Sequence, residues 1–295
     1  MCGPSSSFAS DPVRLLRSGL GITIEAVREF ISDESWAIAS HIALSILLAL
    51  FPFLIVLTAL AGFFGSKELA DAAARILLDT WPPEVAGPLA GEINAVLTGA
   101  PSGALTFGAV FAVYFSSSGI ESLRIGLNRA YDLVETRSFW LMRLESIGYV
   151  LLGAFALLAL ALLVVLAPLI LAALSRYAPW IEPFGWMVTF GRYAVASVAL
   201  TGALVIVHLW LPSGRRRLRD IAPGVIVTLL LWLMTGEAFG RYLARFASAY
   251  AATYAGLASV MIALVFLYWT ACIFIYGGEF NAAILRRRKA GGRDT

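Results

Sequence analysis

Five polar residues, Ser117, Glu121, Arg124, Asn128 and Tyr131, recur at steps of four, three, four and three, so a continuous helix would carry them on one face. A carboxylate and a guanidinium one turn apart, Glu121 and Arg124, can share charge, and Asn128 can extend a hydrogen-bonded line from them. Such a stripe suits a polar site or gate. It also suits a packing network that ties a bundle of helices to its rim. His41, beside Ser40 and one turn before Ser45, and His208 could each take up or release a proton, although an interhelical hydrogen bond is the plainer role for either. Pro52, in Phe51-Pro52-Phe53, removes a helical hydrogen bond and predicts a kink or a broken helix. Glu279 and Asn281 follow Gly277-Gly278, glycines that permit close helix approach. Glu237 and Arg241, with Arg245 one turn on, have the spacing of an interfacial ion pair.

Six apolar stretches must position these residues: Trp36 to Phe64, Gly103 to Ile120, Ile147 to Ala173, Trp186 to Leu211, Ile221 to Phe239 and Ala255 to Gly278. Each is near or above the roughly 20 residues a helix needs to cross a hydrocarbon core. Composition agrees, with 60% hydrophobic and 14% charged residues and a mean hydropathy of +0.82, where a soluble domain would carry about 25% charge. The fold expected is all-α, a polytopic membrane bundle of six transmembrane helices. Its parts are a segment 1–35 with a juxtamembrane helix, a membrane domain 36–285 and a basic tail 286–295.

Lys and Arg concentrate on alternate sides of these spans. Three precede the first span, four lie between the second and third, four between the fourth and fifth, and five follow the sixth, while each other connection, counted with the basic residues at its adjoining span ends, holds two. The positive-inside rule places both termini in the cytoplasm of a multi-pass protein of the bacterial inner membrane. The net charge of +3 is therefore a matter of topology, and no nucleic-acid partner is expected. The expected partners are membrane lipids, anionic at the cytoplasmic face, with homo-oligomerisation left open.

The first outer connection, Ser66 to Ser102, has apolar positions Leu69, Ala73, Ile76 and Leu77 at helical spacing, suited to a short interfacial helix. Trp180, Pro183, Phe184 and Trp186 suit the headgroup belt of the second, as Trp140 does the inner side. The ends, Ser5 to Ser7 and Arg286 to Thr295, read as frayed tails, and the basic run 286–289 favours anionic lipid. The N-terminus lacks a signal peptide's apolar core and cleavage site, so the first span is expected to stay as an anchor. Neither Cys2 nor Cys272 has metal-ligand spacing, and no metal or cofactor is expected.

Four regions resemble the YihY/BrkB family of bacterial inner-membrane proteins, whose early members were labelled ribonuclease BN. They are Ala39-Ser40-His41-Ile42-Ala43-Leu44-Ser45 through Phe51-Pro52-Phe53; Gly126-Leu127-Asn128-Arg129-Ala130-Tyr131 with Arg137-Ser138-Phe139-Trp140; Pro212 with Arg219, Pro223 and Gly224; and Tyr254-Ala255-Gly256 through Gly278-Glu279-Phe280-Asn281-Ala282. Phe280 stands where the family has Leu, and His41-Ile42 where aromatic or small residues are commoner, so the resemblance lends His41 no role.

The ribonuclease label finds no support in these residues, because a metal-dependent nuclease needs clustered His and Asp ligands and no Asp lies in a span. Three classes are weighed, with transport the leading expectation and an envelope scaffold its alternative. A transporter or exporter of a small or lipid-linked envelope compound would use His41, Glu121, Arg124, Asn128, His208 and Glu279, together with Ser117, Pro52 and Asn281, as its site or gate. An envelope scaffold would use the same residues to hold helices together. An intramembrane enzyme comes third, and no enzymatic activity is expected. Polar groups facing one water-filled cavity would favour transport, and groups buried in pairs would favour the scaffold.

Overall fold

A computed structural model describes residues 12–63, 105–177, 185–254 and 257–291, together with 72, 74–76 and 78. Among these the regular structure is helical: α1 (Pro12–Ser32), α2 (Ser35–Phe63), α3 (Leu105–Ala130), α4 (Phe139–Tyr177), α5 (Gly185–Trp210), α6 (Leu218–Tyr254) and α7 (Ala258–Gly291). Each of the six expected spans falls largely within one of α2 to α7. Four of these helices contain a stretch long and apolar enough to cross a membrane, Ser35–Leu57, Phe139–Leu162, Leu218–Phe246 and Val260–Ala290, and α5 adds the shorter Ala194–Trp210. Their outward faces are apolar too: Leu48, Val198, Leu233 and Met234 are each exposed. A helix that is apolar all round belongs in lipid or in a deep core.

The helix ends run past the expected spans. α4 begins eight residues before Ile147, and that extra length carries Arg143 and Glu145. α7 runs on to Gly291, so Arg286, Arg287 and Arg288 are helical and not the start of a frayed tail. Ion pairs account for this: Arg287 meets Glu25 at 2.6 Å, Arg286 meets Asp132 at 3.2 Å and Arg288 meets Asp220 at 3.1 Å. α2 runs unbroken through Pro52, so the broken-helix alternative is not realised. Of the four apolar positions named in the first outer connection only Ile76 is described, and it packs on the core. Of the tryptophan-rich second connection, residues 178–184, with Trp180, Pro183 and Phe184, lie outside the described residues.

Small residues set the helix crossings. α6 meets α7 at Gly224 and Gly277, where a Cβ on Gly224 would strike the Gly277 carbonyl oxygen and the Asn281 amide. Gly126 lets α3 approach α2, since a Cβ there would lie 2.9 Å from Ile42 Cδ1. Two apolar clusters fill the bundle, one around Leu54, Leu57, Leu158 and Leu243, the other around Ile42, Leu127, Ile221 and Ile275.

α3 ends in a two-bond cap, with the Leu133 N–H on the Asn128 carbonyl at 2.8 Å and the Asp132 N–H on that of Arg129 at 3.0 Å. Asp132, at φ 52°, fills the left-handed position such a cap requires and turns the chain towards α4.

Candidate functional site

The second apolar cluster abuts a polar hub where the ends of α1, α3, α5 and α7 meet the starts of α2, α4 and α6. The stripe on α3 points into this hub, but from Glu121 onward its residues pair with other segments and not with each other. Glu121 bonds Arg143 of α4 at 2.6 Å instead of Arg124. The Arg143 guanidinium also donates to the Tyr114 carbonyl at 3.1 Å and lies 3.6 Å above the Tyr114 ring. Arg124, 3% exposed, donates to the Met142 carbonyl at 3.1 Å and to Glu145 at 3.4 Å. The reason is geometric: α4 starts early enough to bring Arg143 and Glu145 beside α3, and a facing helix offers better hydrogen-bond directions than a residue one turn away.

A chain of bonds continues through the connection. Glu145 also accepts from Arg137 at 2.7 Å, and Arg137 grips Glu135 through its side chain at 2.8 Å and its backbone N–H at 3.1 Å. These bonds hold the Glu135 carboxyl at about 2, the Arg137 side chain being the largest cause, and in return raise Arg137 above its usual range. Asn128 joins the chain by donating to Glu135 at 3.0 Å and accepting from the Ser213 N–H at 2.8 Å, which ties α3 to the segment before α6.

Asn281 fastens α7. Its carbonyl accepts the Gly224 N–H at 2.6 Å and its amide donates to the Tyr131 hydroxyl at 3.1 Å. Arg216 covers the Tyr131 ring at 4.2 Å. Two neighbouring residues lack such partners. Glu279, fully buried, has Ser35 Oγ at 3.5 Å from one oxygen and no hydrogen bond to the other. His208, also fully buried, has Nδ1 on the Leu204 carbonyl at 2.9 Å and its ring 4.9 Å from Phe274, with Nε2 unpaired.

The remaining expected residues fall elsewhere. His41 is exposed on α2, with Nε2 3.4 Å from Ser122 Oγ, and takes no part in the hub. Ser117 is buried but bonds only the Tyr114 carbonyl of its own helix, at 2.7 Å. Pro52 lies mid-helix in α2, away from the hub. Glu237 and Arg241 form their pair at 2.7 Å, 65% and 77% exposed. Sequence reading missed Glu135, Arg137, Arg143 and Glu145. The signal present was two Glu and two Arg crowded into eleven residues just before an apolar run. Among the described residues no three His, Cys, Asp or Glu side chains gather as ligands for a metal ion.

A family model described as virulence factor BrkB matches residues 26–295. The chain belongs to that family. The polar hub lies almost wholly inside the BrkB match. The relatives include the ribonuclease-like protein YfkH of Bacillus subtilis, 27% identical over 90% of this chain and 95% of its own length. They also include UPF0761 membrane proteins of Rhodospirillum centenum, 27% identical over 91% of this chain, and of Legionella pneumophila, 24% identical over 90%. This BrkB chain spans 58% and 63% of the length of those two. No solved structure matches it. The chain is thus a helical membrane protein of the BrkB family.

Proposed function

We propose that this is a six-span, multi-pass protein of the bacterial inner membrane with both termini in the cytoplasm, and that it serves as an envelope scaffold or assembly protein whose polar hub is a brace. The pairing of both Glu121 and Arg124 with partners on α4 carries this reading. Buried guanidinium groups held by carboxylates and carbonyls of a facing helix fix helix positions, whereas a gate needs groups free to change partners. Support for the topology comes from the shorter apolar stretch of α5 beside the four longer ones, and from α3, which covers most of the second expected span. The gathering of basic residues at the hub end supports a cytoplasmic hub. Membrane lipids, anionic at that face, are the partners in this proposal. No catalytic step is included.

A second reading, transport or export of a small or lipid-linked envelope compound, is favoured by a different observation. Glu279 and His208 bury polar atoms without partners, a costly arrangement that calls for a use. An apolar groove of about 650 Å³ lies between α6 and α7, lined by Met234, Phe239, Tyr242 and Trp269 among others.

Glu121→Gln and Arg124→Ala separate the two. The brace reading expects both variants to disappear from the membrane fraction. Normal membrane levels with loss of substrate flux in vesicles would overturn it in favour of transport. Lipid and metabolite profiling of cells lacking the protein would supply the compounds to assay.

A further inference from the structure

Helix α1 has two apolar faces, and the bundle uses only one. Ala26 is fully buried and Phe30 packs against the inner cluster, while Leu20, Ile24, Val27 and Ile31 are 63, 59, 44 and 67% exposed. Their steps of four, three and four make one stripe, about 16 Å long at 1.5 Å per residue. The polar contacts of α1 lie off this stripe. Glu25 holds Arg287 at 2.6 Å and Arg286 at 3.6 Å, and Gly21 admits the Arg287 guanidinium, which a Cβ there would meet at 2.8 Å. These contacts pin α1 across the end of α7 with the stripe uncovered among the described residues. Glu34, in the left-handed conformation at φ 51°, then redirects the chain into α2. There the exposed apolar surface resumes at Trp36 and continues through Leu44 and Leu48, on a helix apolar enough to cross a membrane.

We propose that α1 lies on the bilayer surface at the hub end, with Leu20, Ile24, Val27 and Ile31 in the boundary between headgroups and acyl chains of anionic phospholipid. Continuity with the outward face of α2 selects lipid as the occupant, because the same solvent must cover both. Charge agrees: Arg28, exposed and adjacent to Val27, and Lys289, exposed near the end of α7, stand where lipid phosphates would lie. The inference holds for a scaffold and a transporter alike.

The test places an environment-sensitive fluorophore on Ile24→Cys, in full-length protein carrying Cys2→Ser and Cys272→Ala, reconstituted one copy per nanodisc. Phosphatidylethanolamine discs with and without phosphatidylglycerol are compared, and Thr136→Cys in the exposed connection serves as the reference. The expected result is blue-shifted emission at position 24, quenched several-fold more strongly than at 136 by lipids brominated near the headgroup, and more so with phosphatidylglycerol. Equal quenching at the two positions would overturn the proposal, as would a blue shift present only when discs hold two copies, which would assign the stripe to a second chain. Should the Ile24 label prevent folding, hydrogen exchange of the unlabelled protein decides: amides of residues 20–31 gain protection in anionic discs, and no gain overturns the proposal.

Discussion

The two ends of the bundle treat charge in opposite ways. At the hub, Arg124 is 3% exposed and its guanidinium is shared between a carbonyl and Glu145, which in turn serves Arg137. At the far end, Glu237 and Arg241 pair within one helix, with both side chains largely in the surroundings. The hub charges have lost much of their solvent, Arg124 and Arg143 most of all, and depend on one another, so removing one weakens the hold on the rest. The far pair keeps its solvation, so either partner can be lost cheaply. Substitutions at the two ends should therefore differ in size and not only in place.

The largest effect is expected at Glu145→Gln. It leaves the Arg124 charge buried with only a carbonyl acceptor and shortens the support of Arg137. Breaking a buried pair from one side costs about 3–5 kcal/mol, and the lower end applies because Glu145 is 32% exposed. A sharp fall in the thermal midpoint in detergent would register this. The double variant Arg124→Met/Glu145→Gln should recover part of the loss, since the stranded charge is gone. A double variant no better than the single would mean that Arg137, and not Arg124, is the dependent group.

Next comes Asn281→Ala. It removes the acceptor that Asn281 offers the buried Gly224 N–H and the donor it offers the Tyr131 hydroxyl, and each such bond contributes about 0.5–1.5 kcal/mol. Because Gly224 sits where α6 and α7 touch backbone to backbone, the loss should show as faster amide exchange at the start of α6. Asn281→Asp keeps the acceptor for Gly224 while removing the donor to Tyr131, so it should separate the two bonds.

Smaller and dependent on pH is the contribution of Glu135. Its carboxyl, at about 2 in the folded protein against an ordinary 4.5, binds its proton less readily folded than unfolded. Its stabilisation is therefore fully present above 4.5 and is lost as pH falls towards 2. Melting temperatures measured across that window should fall more steeply for the parent protein than for Glu135→Gln. Parallel profiles would show that the Arg137 clasp contributes nothing to folding.

Much of this architecture was legible in the residues, because lipid imposes a simple rule: a helix that crosses it must be long and apolar. Hence each of the six stretches falls largely within a helix, four of which carry a stretch long and apolar enough to cross, and the glycines before Glu279 mark a close crossing. The direction of the stripe on α3 was equally legible, but its partners were not. Spacing within one helix brings Glu121 to Arg124, and only the packing of α4 against α3 substitutes Arg143 and Glu145. Charged residues just outside an apolar run, such as Arg143 and Arg286, look like connection or tail in a one-dimensional reading. They become helix when acidic residues from other segments, Glu121 and Asp132, wait beside them. His41 shows the converse, a residue with chemical promise that α2 turns away from the hub.

The smallest effect should be that of Glu237→Gln, and it tests the comparison most directly. The pair has good geometry, 2.7 Å between Arg241 Nε and the carboxylate, so distance alone would rank it beside Arg143 and Glu121 at 2.6 Å. Exposure separates them. An i to i+4 pair open to solvent contributes about 0.3–0.5 kcal/mol, since water serves each charge nearly as well as its partner does. The thermal midpoint should barely move, while Glu121→Gln, at almost the same separation, should lower it clearly. Comparable shifts for the two would mean that the far end of α6 is covered in the assembled protein, by lipid headgroups or by a second chain. Raising salt would then tell them apart, because headgroup contacts weaken with ionic strength and a dry protein interface does not.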